Sequence, residues 1–308
     1  MPSAILIATA IESLLGAILT GVILYLVLRY GRKVYHYLFA AFLLICIVWD
    51  GGTFLLMARN THLQELETIG YVIGVGCVFI PALLFHFACE YTGRIIKWAI
   101  VLGWGICGTL WILGLTGYYW KVDGVYTYEW GNIFRVAPGF LDPWAPFGWF
   151  GLNLAACWML YQRARKAASP LERRHAYYLT AGFLVITFAI LKAGVVMGID
   201  VPILLPLGMF LADVFNAIMG VAIIKDKLFD ITLVVSKGTL YSILAGLLII
   251  IYSLTEHILV TYFGELIGGD SELANIFSIA LGIGILMPFK RRLEQRIDAY
   301  FAQRKLEF

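Results

Sequence analysis

Charged residues are scarce in this sequence, and their scarcity indicates its class. Asp, Glu, Lys and Arg make up 14% of the 308 residues, hydrophobic residues make up 61%, and the mean hydropathy is +0.85. These values exclude an ordinary soluble globular protein and are typical of an integral membrane protein. The net charge of +3 reflects membrane topology and does not indicate a nucleic-acid partner.

The sequence also lacks the motifs of common catalytic and metal sites. It contains no nucleophile elbow, no phosphate-binding loop and no HExxH pair. The cysteines show no CxxC spacing and fall within predicted membrane spans, which favours small packing residues over disulfides or zinc ligands. We therefore expect no catalysis, metal or cofactor in this chain. The cysteines are Cys46, Cys77, Cys89, Cys107 and Cys157.

Long apolar runs recur along the chain. Runs of about 20 apolar residues suffice to cross a hydrocarbon core of about 30 Å as helices. The sequence therefore predicts an all-α polytopic membrane helical bundle of about nine transmembrane helices. The predicted spans are Ala4–Leu28, Tyr37–Met57, Ile69–Tyr91, Trp98–Tyr118, Phe147–Tyr161, Ala176–Met197, Ile203–Ile224, Thr239–Phe263 and Asn275–Phe289.

Lys and Arg orient these helices across the membrane. Basic residues cluster on alternate connections, whereas the opposite connections hold only Arg59, Lys121 and Arg135. The positive-inside rule therefore places the N-terminus outside and the C-terminus in the cytoplasm. The clustered residues are Arg29, Arg32, Lys33, Arg94, Lys97, Arg163, Arg165, Lys166, Arg173, Arg174, Lys225, Lys227, Lys237, Lys290, Arg291 and Arg292.

Short motifs carry a resemblance to a known family. They are Ile80-Pro-Ala-Leu-Leu-Phe-His-Phe87, Ser169-Pro-Leu-Glu-Arg-Arg174 with Tyr177–Gly182, and Ile224-Lys-Asp-Lys-Leu-Phe-Asp-Ile231. They resemble the seven-helix membrane sensor region at the N-terminus of bacterial histidine kinases. Because the chain lacks a phosphoacceptor His box and an ATP-binding motif, the resemblance implies sensing rather than catalysis.

The resemblance also implies a domain organisation. Residues 1–231 correspond to the seven-helix sensor bundle, residues 232–289 to an added transmembrane hairpin, and residues 290–308 to a cytoplasmic amphipathic output helix. The stretch Met287–Phe301 is similar to the linker that precedes the kinase or another effector in that family. A chain that ends at Phe308 would need a separate effector protein.

Polar residues inside the predicted spans are the first candidates for a binding site, because burying them in a membrane is costly. We expect Lys192 to pair with Asp50 or Asp213. Three interpretations stay open: a structural ion bridge, the polar floor of an outward-opening ligand pocket, and a proton or ion path. The candidate ligand-binding residues are Glu12, Asp50, Lys192, Asp213 and Asn216.

The longest outer connection, residues 120–146, is rich in aromatic and turn residues. Such a connection suits a lid over the outer mouth of the bundle, or a segment that lies in the lipid headgroup layer.

The predicted output helix carries an apolar stripe beside basic residues. The stripe fits a parallel homodimer contact or a helix lying flat on the inner leaflet. The candidate signal-output residues are Arg291, Arg292, Leu293, Ile297, Tyr300 and Phe301.

The leading functional hypothesis is a sensor module in the bacterial cytoplasmic membrane. It would detect a small apolar or amphipathic ligand, or the state of the membrane lipids, and act on a cytoplasmic effector. A small transporter or channel is the rival hypothesis, although the sequence reveals neither an inverted repeat nor paired interrupted helices. A non-catalytic membrane scaffold is the third.

Overall fold

The computed structural model describes residues 4–119, 121–137, 145–201 and 203–230, which belong to the first of two compact units, Met1–Leu233. The predicted hairpin 232–289 and the signal-output residues 290–308 lie outside the described residues. The helices are α1 (Ala4–Tyr30), α2 (Val34–Ala58), α3 (Leu63–Cys77), α4 (Ile80–Thr92), α5 (Lys97–Leu115), α6 (Ala145–Lys166), α7 (Pro170–Phe188), α8 (Ala193–Val196) and α9 (Leu204–Asp226).

Helices dominate this unit, which confirms the all-α membrane bundle. In lipid, a helix satisfies its backbone N–H and C=O groups internally, so apolar runs of this length fold as helices. Among the described residues, five helical segments are long and apolar enough to cross a membrane. They are Ile5–Tyr30, Val34–Ala58, Lys97–Leu115, Pro170–Val196 and Leu204–Ile223.

Two of the predicted spans are interrupted. The third span divides into α3 and α4 because Pro81 has no N–H to bond the carbonyl of Cys77, where α3 ends. The sixth span changes from α7 to a 3₁₀ turn, Ala189–Lys192, before α8. Interruptions of this kind free backbone groups at membrane depth and occur beside protein-lined cavities.

The outer aromatic connection folds as a β-hairpin rather than an irregular loop. Strand β1 (Lys121–Tyr128) pairs antiparallel with β2 (Gly131–Ala137), with a bulge between Val122 and Gly124. Side chains of β2 pack against α3 and α8. The hairpin therefore packs on the end of the bundle formed by α3 and α8.

Ion pairs and a helix cap join the helices at the basic end of the bundle. At the cytoplasmic end, Arg174 Nη1 lies 3.3 Å from Asp226 Oδ1, and Arg163 pairs with Glu172. The Ser169 hydroxyl accepts the N–H of Glu172 at 3.1 Å, which caps α7 as its Ser-Pro start predicts. These contacts join α6, α7 and α9 at the basic end.

Aromatic side chains fill the interior toward the cytoplasmic end. Phe39, Phe87 and Phe215 are fully buried in one cluster. Phe229 enters this cluster with its ring centroid 5.2 Å from that of Phe39. The chain segment after α9 is thus anchored in the bundle it leaves.

Candidate functional site

The five candidate ligand-binding residues are all buried and come from four structural elements. Asp50 lies on α2 and Lys192 ends the 3₁₀ turn. Glu12 lies on α1, whereas Asp213 and Asn216 lie one turn apart on α9. Their exposed fractions are 1% for Glu12, 3% for Asp50, 8% for Lys192, 4% for Asp213 and 4% for Asn216.

Two of the carboxylates meet beside a glycine of α1. A Cβ atom built on Gly16 would lie 2.9 Å from Asp213 Oδ1 and 3.2 Å from Asp50 Oδ2. Glycine therefore leaves the space into which both side chains reach. Sequence reasoning identified the carboxylates but missed Gly16, whose only signal is its position one turn after Glu12.

Lys192 is not in the direct ion pair that the sequence predicts. Among the described residues, no carboxylate oxygen lies within 4.0 Å of its Nζ atom, although Asp50 and Asp213 are both within electrostatic range. The ammonium group lies 4.5 Å from the centroid of the Trp49 ring and 3.2 Å from Met209 Sδ. A cation over an indole face is stabilised by the ring quadrupole. Neither partner is evident from sequence spacing.

Close backbone packing holds Lys192 in this position. A Cβ atom on Gly208 of α9 would lie 2.6 Å from Lys192 Cβ and 2.9 Å from the carbonyl oxygen of Ala189. Only glycine allows α9 to pass this close to the 3₁₀ turn.

Hydrogen bonding is incomplete around Glu12. Within the described residues, neither carboxyl oxygen of Glu12 has a hydrogen-bond partner, and Asp213 Oδ2 has none either. One turn further along α1, the Thr20 hydroxyl donates to Asn216 Oδ1 at 3.1 Å. Asn216 therefore links α1 to α9, whereas Glu12 interacts with Asp213 only electrostatically.

A small cavity lies between the hairpin and the bundle. Its volume is about 20 Å³, room for about one water molecule. Lys192, Trp49 and Thr53 are among its lining residues, and Ile133 and Phe134 of β2 line it from the hairpin. The remaining lining is Leu56, Met57, Ile73, Ala193, Val196 and Leu205.

Two sets of hydrogen bonds attach the hairpin over this cavity. In the α2–α3 turn, the Asn60 amide donates to the Asn132 carbonyl at 2.6 Å and accepts the Asn132 N–H at 2.9 Å. On the other side, the Tyr128 hydroxyl donates to the Val195 carbonyl at 2.9 Å. Trp130 Nε1 donates to Asp200 Oδ1 at 3.2 Å.

Burial keeps the hydroxyl group of Tyr128 protonated. Desolvation, and then the carboxylate of Asp200, raises the pKa of Tyr128 above its usual value. Tyr128 therefore stays a neutral hydroxyl donor across the physiological range. Its ring stacks on Trp130 with centroids 5.0 Å apart.

A second polar group lies on α4 at the cytoplasmic side. His86 Nε2 is 3.8 Å from Glu90 Oε1, and Trp104 Nε1 donates to His86 Nδ1 at 3.2 Å. The helical spacing predicts the first contact, and the tertiary structure adds the second. In the described part of the chain, no group of three or more His, Cys, Asp or Glu side chains is placed to hold a metal ion.

Comparison with known proteins agrees with this architecture. The family model for the N-terminal 7TM region of histidine kinase matches residues 13–232. A search of curated proteins finds no match. The matched region includes every candidate ligand-binding residue except Glu12, which immediately precedes it. The helical bundle and the family match make this a multi-pass protein of the bacterial inner membrane, and the chain belongs to the family of N-terminal seven-transmembrane regions of histidine kinases.

Proposed function

We propose that this chain detects a small apolar or amphipathic molecule, or a change in the surrounding lipid, and passes that signal to a cytoplasmic effector. Membership of the family supports a membrane sensor module, which by itself is non-catalytic. The observation that carries the finer proposal is the mainly apolar cavity beneath the hairpin, which Lys192 also lines. An apolar lining with one oriented polar group is the common form of a small-molecule site.

Ligand entry requires the hairpin to move. The cavity holds about one water molecule, so an organic ligand would displace Ile133 and Phe134 of β2. Both residues lie on the strand that Asn60 attaches to the α2–α3 turn. A ligand would therefore favour an arrangement in which β2 stands further from the bundle.

The signal has a structural route to the cytoplasmic side. Lys192 precedes α8 and packs against Gly208 of α9, and α9 continues to Asp226. Asp226 contacts Arg174 and His175 of α7 through its carboxylate and its carbonyl oxygen. Displacement of α9 would thus change contacts at the end of the bundle that the positive-inside rule places toward the cytoplasm.

A thermal-shift experiment tests the ligand site. The full chain in lipid nanodiscs would be titrated with decanoic acid and, separately, with decanol. Binding to the folded state raises the melting temperature in proportion to ln(1 + [L]/Kd). We expect a shift for wild type, a smaller one for Lys192→Met, and a wild-type shift for Lys97→Met, whose side chain is exposed at the cytoplasmic start of α5. Equal shifts in all three proteins, or none in wild type, would contradict the proposal.

A transporter or channel is the second candidate, and one observation favours it. The third and sixth spans are both interrupted, and Ile73 of α3 and Lys192 both line the cavity. Interrupted helices beside a central site are typical of transporters. Substrate flux into proteoliposomes that Lys192→Ala abolishes would favour this function over sensing.

A further inference from the structure

The buried site contains more acidic than basic groups, so it needs a positively charged ligand such as a proton. Three of its residues, Glu12, Asp50 and Asp213, are acidic, and one, Lys192, is basic. All four are more than nine-tenths buried. If every group were ionised, the cluster would hold a net charge of −2 inside the membrane, which low-dielectric surroundings strongly disfavour.

No other described side chain around the cluster supplies the missing positive charge. Thr9, Ser13 and Thr20 on α1 are hydroxyls, and Asn216 and Met209 on α9 are neutral. Cys46 on α2 and Cys77 on α3 are the remaining titratable groups in electrostatic contact with Asp50 and Lys192, and a thiol is neutral or negative.

Glu12 gives an independent indication of which groups are neutral. It is 1% exposed, lies one turn before Gly16, beside which Asp213 lies, and neither of its oxygens accepts a hydrogen bond in the described part of the chain. A carboxylate without donors at this depth costs more free energy than a protonated carboxyl. Because no described group of carboxylates is arranged to ligate a metal ion, a proton is the simplest counter-charge.

We propose that Glu12 and Asp213 form a proton-binding site in the membrane core, and that Asp50 and Lys192 stay ionised beside it without touching each other. The cluster is neutral when both carboxyls hold protons. Because α1, α2, α9 and the 3₁₀ turn each contribute a group, the loss of a proton changes the forces between four elements. The bundle is therefore responsive to protons, whether or not it also binds an organic ligand.

The hairpin-covered cavity gives protons a route from the outer side. Lys192 lines it, and its volume has room for about one water molecule. Lys192 lies within electrostatic range of Asp50 and Asp213. With the hairpin closed, the cavity is too small for an organic ligand. It is still large enough for a water molecule, which can carry protons.

Infrared spectroscopy of the full chain in nanodiscs tests the site directly. Protonated carboxyl groups have a C=O stretching band separate from that of carboxylates. We expect this band in wild type at neutral pH, with reduced intensity in Glu12→Gln and in Asp213→Asn. Glu65→Gln is the matched control, because Glu65 is an exposed carboxylate paired with Arg59 at 2.9 Å. A wild-type spectrum without the band, or variants that retain its full intensity, would overturn the proposal.

The pH dependence of stability provides the second measurement. If the folded protein holds protons that the unfolded chain releases above about pH 4, stability falls as pH rises. We expect the melting temperature of wild type to fall between about pH 5 and about pH 8, with roughly half that slope in each single variant. The double variant, with two neutral isosteres, is expected to lose most of the slope. An unchanged slope in all variants would show that these carboxyls do not bind the protons, independently of any ligand shift.

Discussion

At the scale of single residues, glycine determines how closely the charged groups of the site can approach. Gly16 leaves room for Asp50 and Asp213, and Gly208 leaves room for Lys192. Helix association in lipid depends on close van der Waals packing rather than on the hydrophobic effect, so such positions matter more than they would in water. Gly16 of α1 and Gly208 of α9 can therefore each be assigned a role from the atoms around them.

Gly208→Ala is expected to destabilise the bundle by about 1 to 3 kcal/mol, because the added methyl group overlaps the Lys192 stem and the Ala189 carbonyl. The measurement is the unfolding free energy in detergent micelles. Gly220→Ala is the matched control, since no described atom lies within 4 Å of a Cβ at that position on the same helix. It should be neutral or stabilising by up to about 1 kcal/mol. Equal effects of the two changes would contradict the packing described for Gly208.

Lys227 illustrates a backbone requirement at one residue. Its φ of 54° and ψ of 40° place it in the left-handed region at the end of α9, with its N–H bonded to the Ala222 carbonyl. This conformation costs roughly 1 kcal/mol for a residue with a side chain.

Lys227→Gly is therefore expected to stabilise the protein by about 0.5 to 1 kcal/mol, measured by thermal unfolding. Lys227→Ala removes the exposed side chain but keeps the Cβ atom, so it should give no comparable gain. A gain with alanine equal to that with glycine would attribute the effect to charge rather than backbone strain.

At the scale of elements, the β-hairpin closes the outer end of the site. Asn60 and Asn132 exchange hydrogen bonds in both directions, and the Asn132 amide also donates to the Asn60 carbonyl at 2.9 Å. Reciprocal bonds of this kind hold β2 against the α2–α3 turn. The same strand places Phe134 against Gly70 of α3 and over the cavity.

Asn60→Ala is expected to loosen the hairpin, because it removes two side-chain hydrogen bonds and leaves partners on β2 unsatisfied. The cost should be about 1 to 3 kcal/mol, with faster amide hydrogen exchange across β1 and β2 than elsewhere. Arg59→Ala removes the neighbouring exposed ion pair with Glu65 and should cost less than about 1 kcal/mol. Unchanged exchange in the hairpin of Asn60→Ala would argue against its role in attachment.

At the scale of the whole molecule, basic residues and the hairpin occupy opposite ends of the bundle. Arg163, Arg174 and Asp226 meet at one end, whereas Asn60 and β2 meet at the other. This separation agrees with the orientation that the positive-inside rule predicts. With that predicted orientation, the cavity lies on the outer side and the end of α9 on the cytoplasmic side.

Cysteine labelling checks this orientation. In a variant whose native cysteines are replaced, Glu129→Cys at the hairpin turn should react with a membrane-impermeant maleimide applied to intact spheroplasts. Arg165→Cys at the end of α6 should react only after the membrane is permeabilised. Both positions are exposed, so accessibility across the membrane is the variable being compared. The reverse pattern would invert the topology.

Part of the site could be predicted from the residue types alone. Glu12, Asp50, Lys192 and Asp213 lie in long apolar runs, where a buried charged residue needs a partner inside the protein. Their burial follows from that requirement. Which partner each one has does not, and the predicted ion pair of Lys192 is replaced by contacts with Trp49 and Met209.

The sequence by itself determined the membrane class, the helical fold and the family, because apolar length and short motifs are local features. The tertiary structure decided the contacts between distant residues, such as Thr20 with Asn216, which are 196 positions apart. It also decided that residues 121–137 form a hairpin over the bundle and that two spans are interrupted. Such features depend on packing between helices, and packing at Gly16 and Gly208 is set by atoms that no local pattern in the sequence brings together.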